Sequence, residues 1–148
     1  MKNRDVRYQG AIIRDDQILL IRHREHESER SYWLLPGGGI EPDETEEDCV
    51  RREIKEETNL DVSVISLLVE EPDPTGVYRF WKTFLCEPGT TDASPGSEPE
   101  PEVASQYSIV EVKWFDLRTE TKWPDELVSN SYTYGHLQWI RMKMDYQP

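Results

Sequence analysis

A triple glycine, Gly37-Gly38-Gly39, runs into an acid-rich helical pattern in the segment GGGIEPDETEEDCVRREIKEETNL, residues 37–60. Thr45 is a good N-cap, and Asp48 three residues later resembles the acid of a capping box. Glu46, Glu47 and Asp48 sit in the first turn, where the helix dipole favours negative charge. Glu53, Glu56 and Glu57 have no such explanation. Their i, i+3, i+4 spacing puts them on one face, within an arc of ~100°. They lie in the last turns, where the dipole disfavours carboxylates, and each like-charged pair repels by about a few tenths of a kcal/mol. Three carboxylates on one side make a hard oxygen site suited to Mg²⁺ or Mn²⁺. Val50 and Ile54 flank that face and are expected to anchor the helix on a sheet, with Arg51, Lys55 and Thr58 on the solvated side. Spacing alone fits an acidic surface helix neutralised by Arg51, Arg52 and Lys55 equally well. The glycines favour the metal reading, because they permit positive φ and close backbone approach.

Around this segment the apolar pattern predicts strands. Residues 8–14 and 17–23 read as a hairpin turning at Asp15-Asp16, and 24–31 as a charged loop. Trp33-Leu34-Leu35 is a short strand stopped by Pro36 and the glycines. Residues 61–71, 76–86 and 109–116 are further strands, and 125–144 a C-terminal helix weakened by Gly135. Residues 87–105, with Pro88, Pro95, Pro99 and Pro101, read as a flexible acidic Pro-rich loop or lid. The class is α/β (α+β) with a mixed sheet, expected as a single domain over residues 1–148.

Charge narrows the partners. With 17 basic and 30 acidic residues the net charge is −13, against the surplus of Lys and Arg that grips a duplex nucleic acid. A small phosphorylated ligand stays open if a metal mediates. No apolar run approaches the ~18 residues of a membrane span. Residues 1–7 are polar with no apolar stretch behind them, so no signal peptide is expected. Cys49 and Cys86 form neither a disulfide framework nor a zinc spacing, and a cytoplasmic location is expected.

Together the motifs resemble the signature of the Nudix hydrolases, G-x5-E-x7-R-E-U-x-E-E-x-G-U with U aliphatic. Gly38, Glu44, Arg52, Glu53, Ile54, Glu56, Glu57 and Leu60 match over residues 38–60. Asn59 stands where the family has glycine, and Asn is the next best residue for a left-handed cap. The resemblance implies an α/β/α sandwich with a mixed sheet and a metal-dependent pyrophosphohydrolase of a nucleoside diphosphate linked to another moiety. By position, Glu53, Glu56 and Glu57 bind Mg²⁺ or Mn²⁺, with the Gly37 carbonyl as a further ligand. Arg52 and Glu44 form the ion pair that orients the carboxylates.

Other roles are expectations with bland alternatives. Arg22, Arg24 and Arg30, with Gly38 and Gly39, are candidates to hold phosphate oxygens; the arginines are otherwise ordinary surface charges. Glu98, Glu100 and Glu102 are candidate bases or mere solvation of a loop. Tyr78 or Phe80 stacks on a base or belongs to the core. His23, His26 and His136 receive no catalytic role, and Cys49 is expected as a small buried residue. The alternative from another class is a non-catalytic Nudix-fold module that senses a nucleotide or binds a protein. The intact carboxylate set favours the enzyme. Oligomeric state is silent, and a homodimer is compatible.

Overall fold

Apolar residues alternate along the strands so that one mixed sheet carries a core on each face. The computed structural model describes residues 3–97 and 106–146, so Glu98, Glu100 and Glu102 lie outside the described residues. Strands β1 (Asn3–Arg14), β2 (Gln17–Glu25), β3 (Ser31–Leu34) and β4 (Gly37–Ile40) precede helix α1 (Glu46–Thr58). Strands β5 (Val62–Pro72), β6 (Phe80–Pro88) and β7 (Tyr107–Asp116) follow, then helices α2 (Asp125–Val128) and α3 (Ser131–Lys143).

β1 is the central strand. It runs parallel to β6 from Val6 to Ile12 and antiparallel to β4 at Tyr8 and Gln9. Further along the same edge it pairs with β2 through Ile13 and Arg14. β2 is antiparallel to β3 and β7, and β6 to β5. β4 and β2 therefore share one edge of β1, and the chain passes from β3 to β4 through Leu35 and Pro36.

Neighbouring residues on a strand point to opposite faces. Ala11, Ile18 and Leu20 join Trp33, Phe115, Leu127 and Leu137 under α2 and α3. Ile12 and Leu19 join Val50, Ile54, Leu60 and Phe84 under α1. The expected helix–sheet–helix sandwich is the one observed. Among the described residues no helix is long and apolar enough to cross a membrane. Cys49 and Cys86 are buried thiols outside any disulfide.

Several local expectations are corrected. β2 extends to Glu25, so 24–31 is not all loop: ladder pairing with β7 down to Glu25 and Tyr107 needs no apolar side chains. The three glycines form a strand of their own, β4, rather than only stopping the one before, and none has positive φ. Their smallness serves close approach instead, since a Cβ on Gly37 would come within 2.7 Å of Gln9 Cα. β6 starts at Phe80, not Gly76, because Asp73 organises a turn there. Its Oδ1 accepts from the Thr75 amide at 2.8 Å and its Oδ2 from the Tyr78 amide at 2.9 Å. The C-terminal helix is two helices, broken where the Asn130 side chain accepts from the Thr133 amide and caps α3. Thr58 is buried, not solvated, and its hydroxyl donates to the Ile54 carbonyl at 2.7 Å.

The end of α1 is strapped down by the Pro-rich loop. A helix leaves its last four carbonyls without intrahelical partners. Here the Lys55 carbonyl accepts from the Asn59 amide, and those of Glu56, Glu57 and Thr58 accept from the amides of Ser97, Gly96 and Ser94 at 2.9, 2.9 and 3.0 Å. A Cβ on Gly96 would lie 2.7 Å from the Glu56 carbonyl carbon, so only glycine seats this strap. Asn59 takes the left-handed conformation with φ 63°. Its side-chain amide donates to the Ser94 carbonyl and hydroxyl and to the Pro95 carbonyl. The residue that departs from the family pattern thus holds the loop. Asn59→Ala is expected to cost about 1–2 kcal/mol in urea unfolding, because alanine resists that backbone conformation. Asn59→Gly tolerates it and costs less. Both variants should speed hydrogen exchange at the amides of Gly96 and Ser97. Unchanged exchange there would show that Asn59 does not anchor the strap.

Candidate active site

The site forms where the acidic face of α1 meets the glycine strand. Val50 and Ile54 fix the helix on the sheet with no exposure at all. That rotation presses the adjacent face, with Glu53 and Glu57, against β4, and both carboxylates are only 1% exposed. A Cβ on Gly38 would lie 2.6 Å from the Glu53 carboxyl carbon. Glu57 Oε1 accepts from the Gly37 amide at 2.7 Å. Gly37 and Gly38 are therefore small because carboxylates lie against their backbone.

Arg52 gathers the acids. Its Nε and Nη2 donate to the two carboxylate oxygens of Glu44 at 2.7 and 2.9 Å, the bidentate geometry of a strong ion pair. Its Nη1 reaches Glu53 at 2.9 Å and Glu56 at 3.2 Å, and Nη2 also donates to the Gly39 carbonyl at 3.0 Å. The hydrogen bonds from Arg52 hold the Glu44 carboxyl below the usual carboxylate range. The same bond to Glu44, joined by Glu53 and Glu56, outweighs burial and raises Arg52. Cys49 is buried beneath, 3.8 Å from Arg52 Nη2.

Two further groups, neither assigned a role from the sequence, border the carboxylates. Arg7 donates to the Leu35 carbonyl at 2.8 Å and to Gln9 at 3.3 Å. Burial alone lowers its pKa, but Tyr78, Glu57 and Glu53 are near enough to outweigh that and raise it. His23 Nε2 lies 3.9 Å from Glu57 Oε2. Burial, with the positive charge of Arg7 behind it, lowers the His23 pKa to about 4. The available signal was Arg7 and Gln9 sharing a face with Ala11, two polar residues in line on the central strand.

The arginines chosen from sequence do not join this cluster. Arg22 faces the opposite side of the sheet, bonded to Ser31, Glu111 and Glu126. Arg24 pairs with Glu29 at 3.2 Å on the exposed hairpin. Arg30 sits at the end of that hairpin, exposed, its amide donating to Ser28. Tyr78 borders Arg7, while Phe80 is 36% exposed at the start of β6.

Among the described residues, no three His, Cys, Asp or Glu side chains are already gathered as a metal cage. The donors themselves are carboxylates and backbone carbonyls, the hard oxygen set that Mg²⁺ or Mn²⁺ takes. Arg52 now sits between Glu53 and Glu56, so a cation can compete for the same oxygens. The residues fit such an ion by chemistry.

A mixed sheet between helical layers, with the signature carboxylates gathered around Arg52, defines the class. A family model described as the NUDIX domain matches residues 5–133, and the chain belongs to the Nudix family. It is 32% identical over 120 residues to the putative nudix hydrolase 1 of Caenorhabditis elegans, a match covering 81% of this chain and 32% of that protein. It is 37% identical over 109 residues to the ADP-ribose pyrophosphatase of Methanocaldococcus jannaschii, covering 74% of this chain and 52% of that one. The chain thus spans between 32% and 52% of the length of these curated relatives. A solved NUDIX hydrolase from Nitrosomonas europaea shares the fold, with TM-score 0.73 at 21% identity over 100% of this chain and 76% of that chain.

His23 makes a pH dependence. Between pH 6.5 and about 4 the unfolded chain takes a proton on this residue and the folded chain does not. Stability from this group is present above pH 6.5 and lost as pH falls toward 4, by up to about 3 kcal/mol. Urea unfolding of the metal-free protein across this range should show that slope, and His23→Gln should flatten it. Equal slopes in both proteins would contradict the buried neutral imidazole.

Proposed function

We infer that the protein is a metal-dependent pyrophosphohydrolase acting on a small nucleoside diphosphate linked to another moiety. The observation that carries this reading is the convergence of Glu53, Glu56 and Glu57 at the C-terminal end of α1, two of them buried. Stability alone does not call for such a cluster. Burying like charges there costs energy that a family of structural helices has no reason to meet.

Glu53, Glu56 and Glu57 would hold Mg²⁺ or Mn²⁺, with the Gly37 carbonyl as a further ligand. The ion, when bound, neutralises charge that builds on the phosphate oxygens as water attacks phosphorus. One box carboxylate takes the proton of that water. The new bond is oxygen to phosphorus, and the anhydride oxygen leaves with its electron pair on the departing phosphate. Arg52 and Glu44 position the carboxylates. Gly38 and Gly39 allow the substrate's phosphates to approach the backbone. Arg7 is better placed to hold a phosphate oxygen than Arg22, Arg24 or Arg30, because it borders Glu57 and Tyr78. The archaeal relative is named for ADP-ribose, which supports a nucleoside diphosphate derivative as the substrate class. A net charge of −13 supports the exclusion of duplex nucleic acid. The cytoplasm, with its reduced thiols, suits buried Cys49 and Cys86.

Activity against a panel of nucleoside diphosphate derivatives is expected with Mg²⁺ or Mn²⁺ and is expected to vanish with chelator. Glu56→Gln should lower the rate by at least ~10²-fold, about 3 kcal/mol of transition-state stabilisation. Its metal-free stability should stay within about 1 kcal/mol, since Glu56 is part-exposed and Gln keeps the volume and helix propensity. Glu47→Gln, exposed in the first turn, is the control and should keep near-normal rates. Near-normal turnover by Glu56→Gln, or full turnover in chelator, returns the carboxylates to a structural role, whereas no turnover of any panel member with either metal favours the non-catalytic sensing module.

A further inference from the structure

Helix α3 has a second apolar face. Its inner face carries Leu137 and Ile140 in the core. On the outer face Tyr132 and Trp139 are 47% and 46% exposed, and Met142 is 57% exposed. With Gly135 they fall at i, i+3, i+7, i+10, the spacing of a seam between two helices. Glycine is a poor helix residue, and a Cβ built at Gly135 meets nothing within 4 Å. No packing among the described residues therefore calls for glycine there. What glycine does supply is a low point in the seam where another backbone can come close.

Trp139 stands between two hollows that share it and Gly135. One, of about 490 Å³, is walled by Pro72, Pro74, Trp81 and Tyr132. The other, of about 610 Å³, reaches Met142, Asp145 and Tyr146. We propose that this face joins two copies of the chain, their α3 helices crossing antiparallel near Gly135 and each Trp139 entering the hollow beside Tyr132 of the other copy.

The occupant is a second copy because the face is self-complementary. Knob, low point and hollow lie on the same surface, as a twofold interface requires. The charges agree. Exposed Asp125 precedes α3, whose own first turn holds no acid, and Lys143 ends it. An antiparallel crossing brings Lys143 of each copy toward the acidic end of the other, and it opposes the helix dipoles favourably. A parallel crossing sets acid against acid. Thirteen residues make a seam of about 20 Å, at the lower end of stable interfaces. A reversible dimer in the micromolar range follows.

Sedimentation velocity from about 5 to about 300 µM brackets that range. The protein should shift from monomer to dimer, and Trp139→Glu should remain monomeric with an unchanged circular dichroism spectrum. In a second measurement, Gly135→Cys should form a disulfide-linked dimer under mild oxidation, while the wild type, whose cysteines are buried, should not. A protein that stays monomeric throughout, or a dimer that survives Trp139→Glu, overturns the proposal, as does a dimer that Gly135→Cys fails to link.

Discussion

The guanidinium of Arg52 is the interaction on which the site depends. Glu53, Glu56 and Glu57 lie on one face at the negative end of a helix dipole, and two are out of water. Left alone, each pair repels and each buried charge pays for desolvation. Arg52 meets this by gripping Glu44 with two parallel bonds from Nε and Nη2 while Nη1, with two hydrogens of its own, reaches Glu53 and Glu56. The Glu44 end is bidentate to one carboxylate, and the Glu53–Glu56 end is one nitrogen divided between two carboxylates at 2.9 and 3.2 Å. The strong half fixes the arginine; the weaker half is the one a cation can replace. On the proposed reading, this asymmetry would balance the acids before an ion binds and leave their oxygens open to it.

The rest of the fold serves to place that face. β1 shares one edge between β4 and β2, so the glycine strand and His23 both approach the same end of α1. Val50 and Ile54 set the helix rotation, and the strap at Ser94, Gly96 and Ser97 occupies the carbonyls beneath Glu56 and Glu57. The helix is therefore held along its side by apolar burial and at its end by hydrogen bonds. Carboxylates mounted between two such restraints have little room to splay. That is the preorganisation the proposed pyrophosphate hydrolysis would need.

The helix, its cap and the carboxylate face were legible because period and capping are local properties of Thr45 to Asn59. The two-faced sheet was implied by the family resemblance, and the unbroken apolar run Ile18, Leu19 and Leu20 suits a strand buried on both faces. What was not legible depended on contacts distant in the chain. Gly37 and Gly38 were expected to stop a strand and allow close approach, but that the approaching groups are the carboxylates of Glu57 and Glu53 shows only in the fold. Arg22 looked like a phosphate clamp, but strand alternation turns it to the face away from His23. Arg7 and His23 became visible only when β1 and β2 were laid beside α1. Asn130 breaks the last helix by capping the second half, a choice that the apolar pattern alone did not distinguish from continuation.

The most direct measurement is a crystal structure with Mn²⁺, read by anomalous difference density. The account predicts one strong peak about 2.2 Å from oxygens of at least two of Glu53, Glu56 and Glu57. Arg52 should have withdrawn from Glu53 and Glu56 while keeping both bonds to Glu44. A peak away from these carboxylates, or Mn²⁺ bound with Arg52 still seated between Glu53 and Glu56, would contradict it.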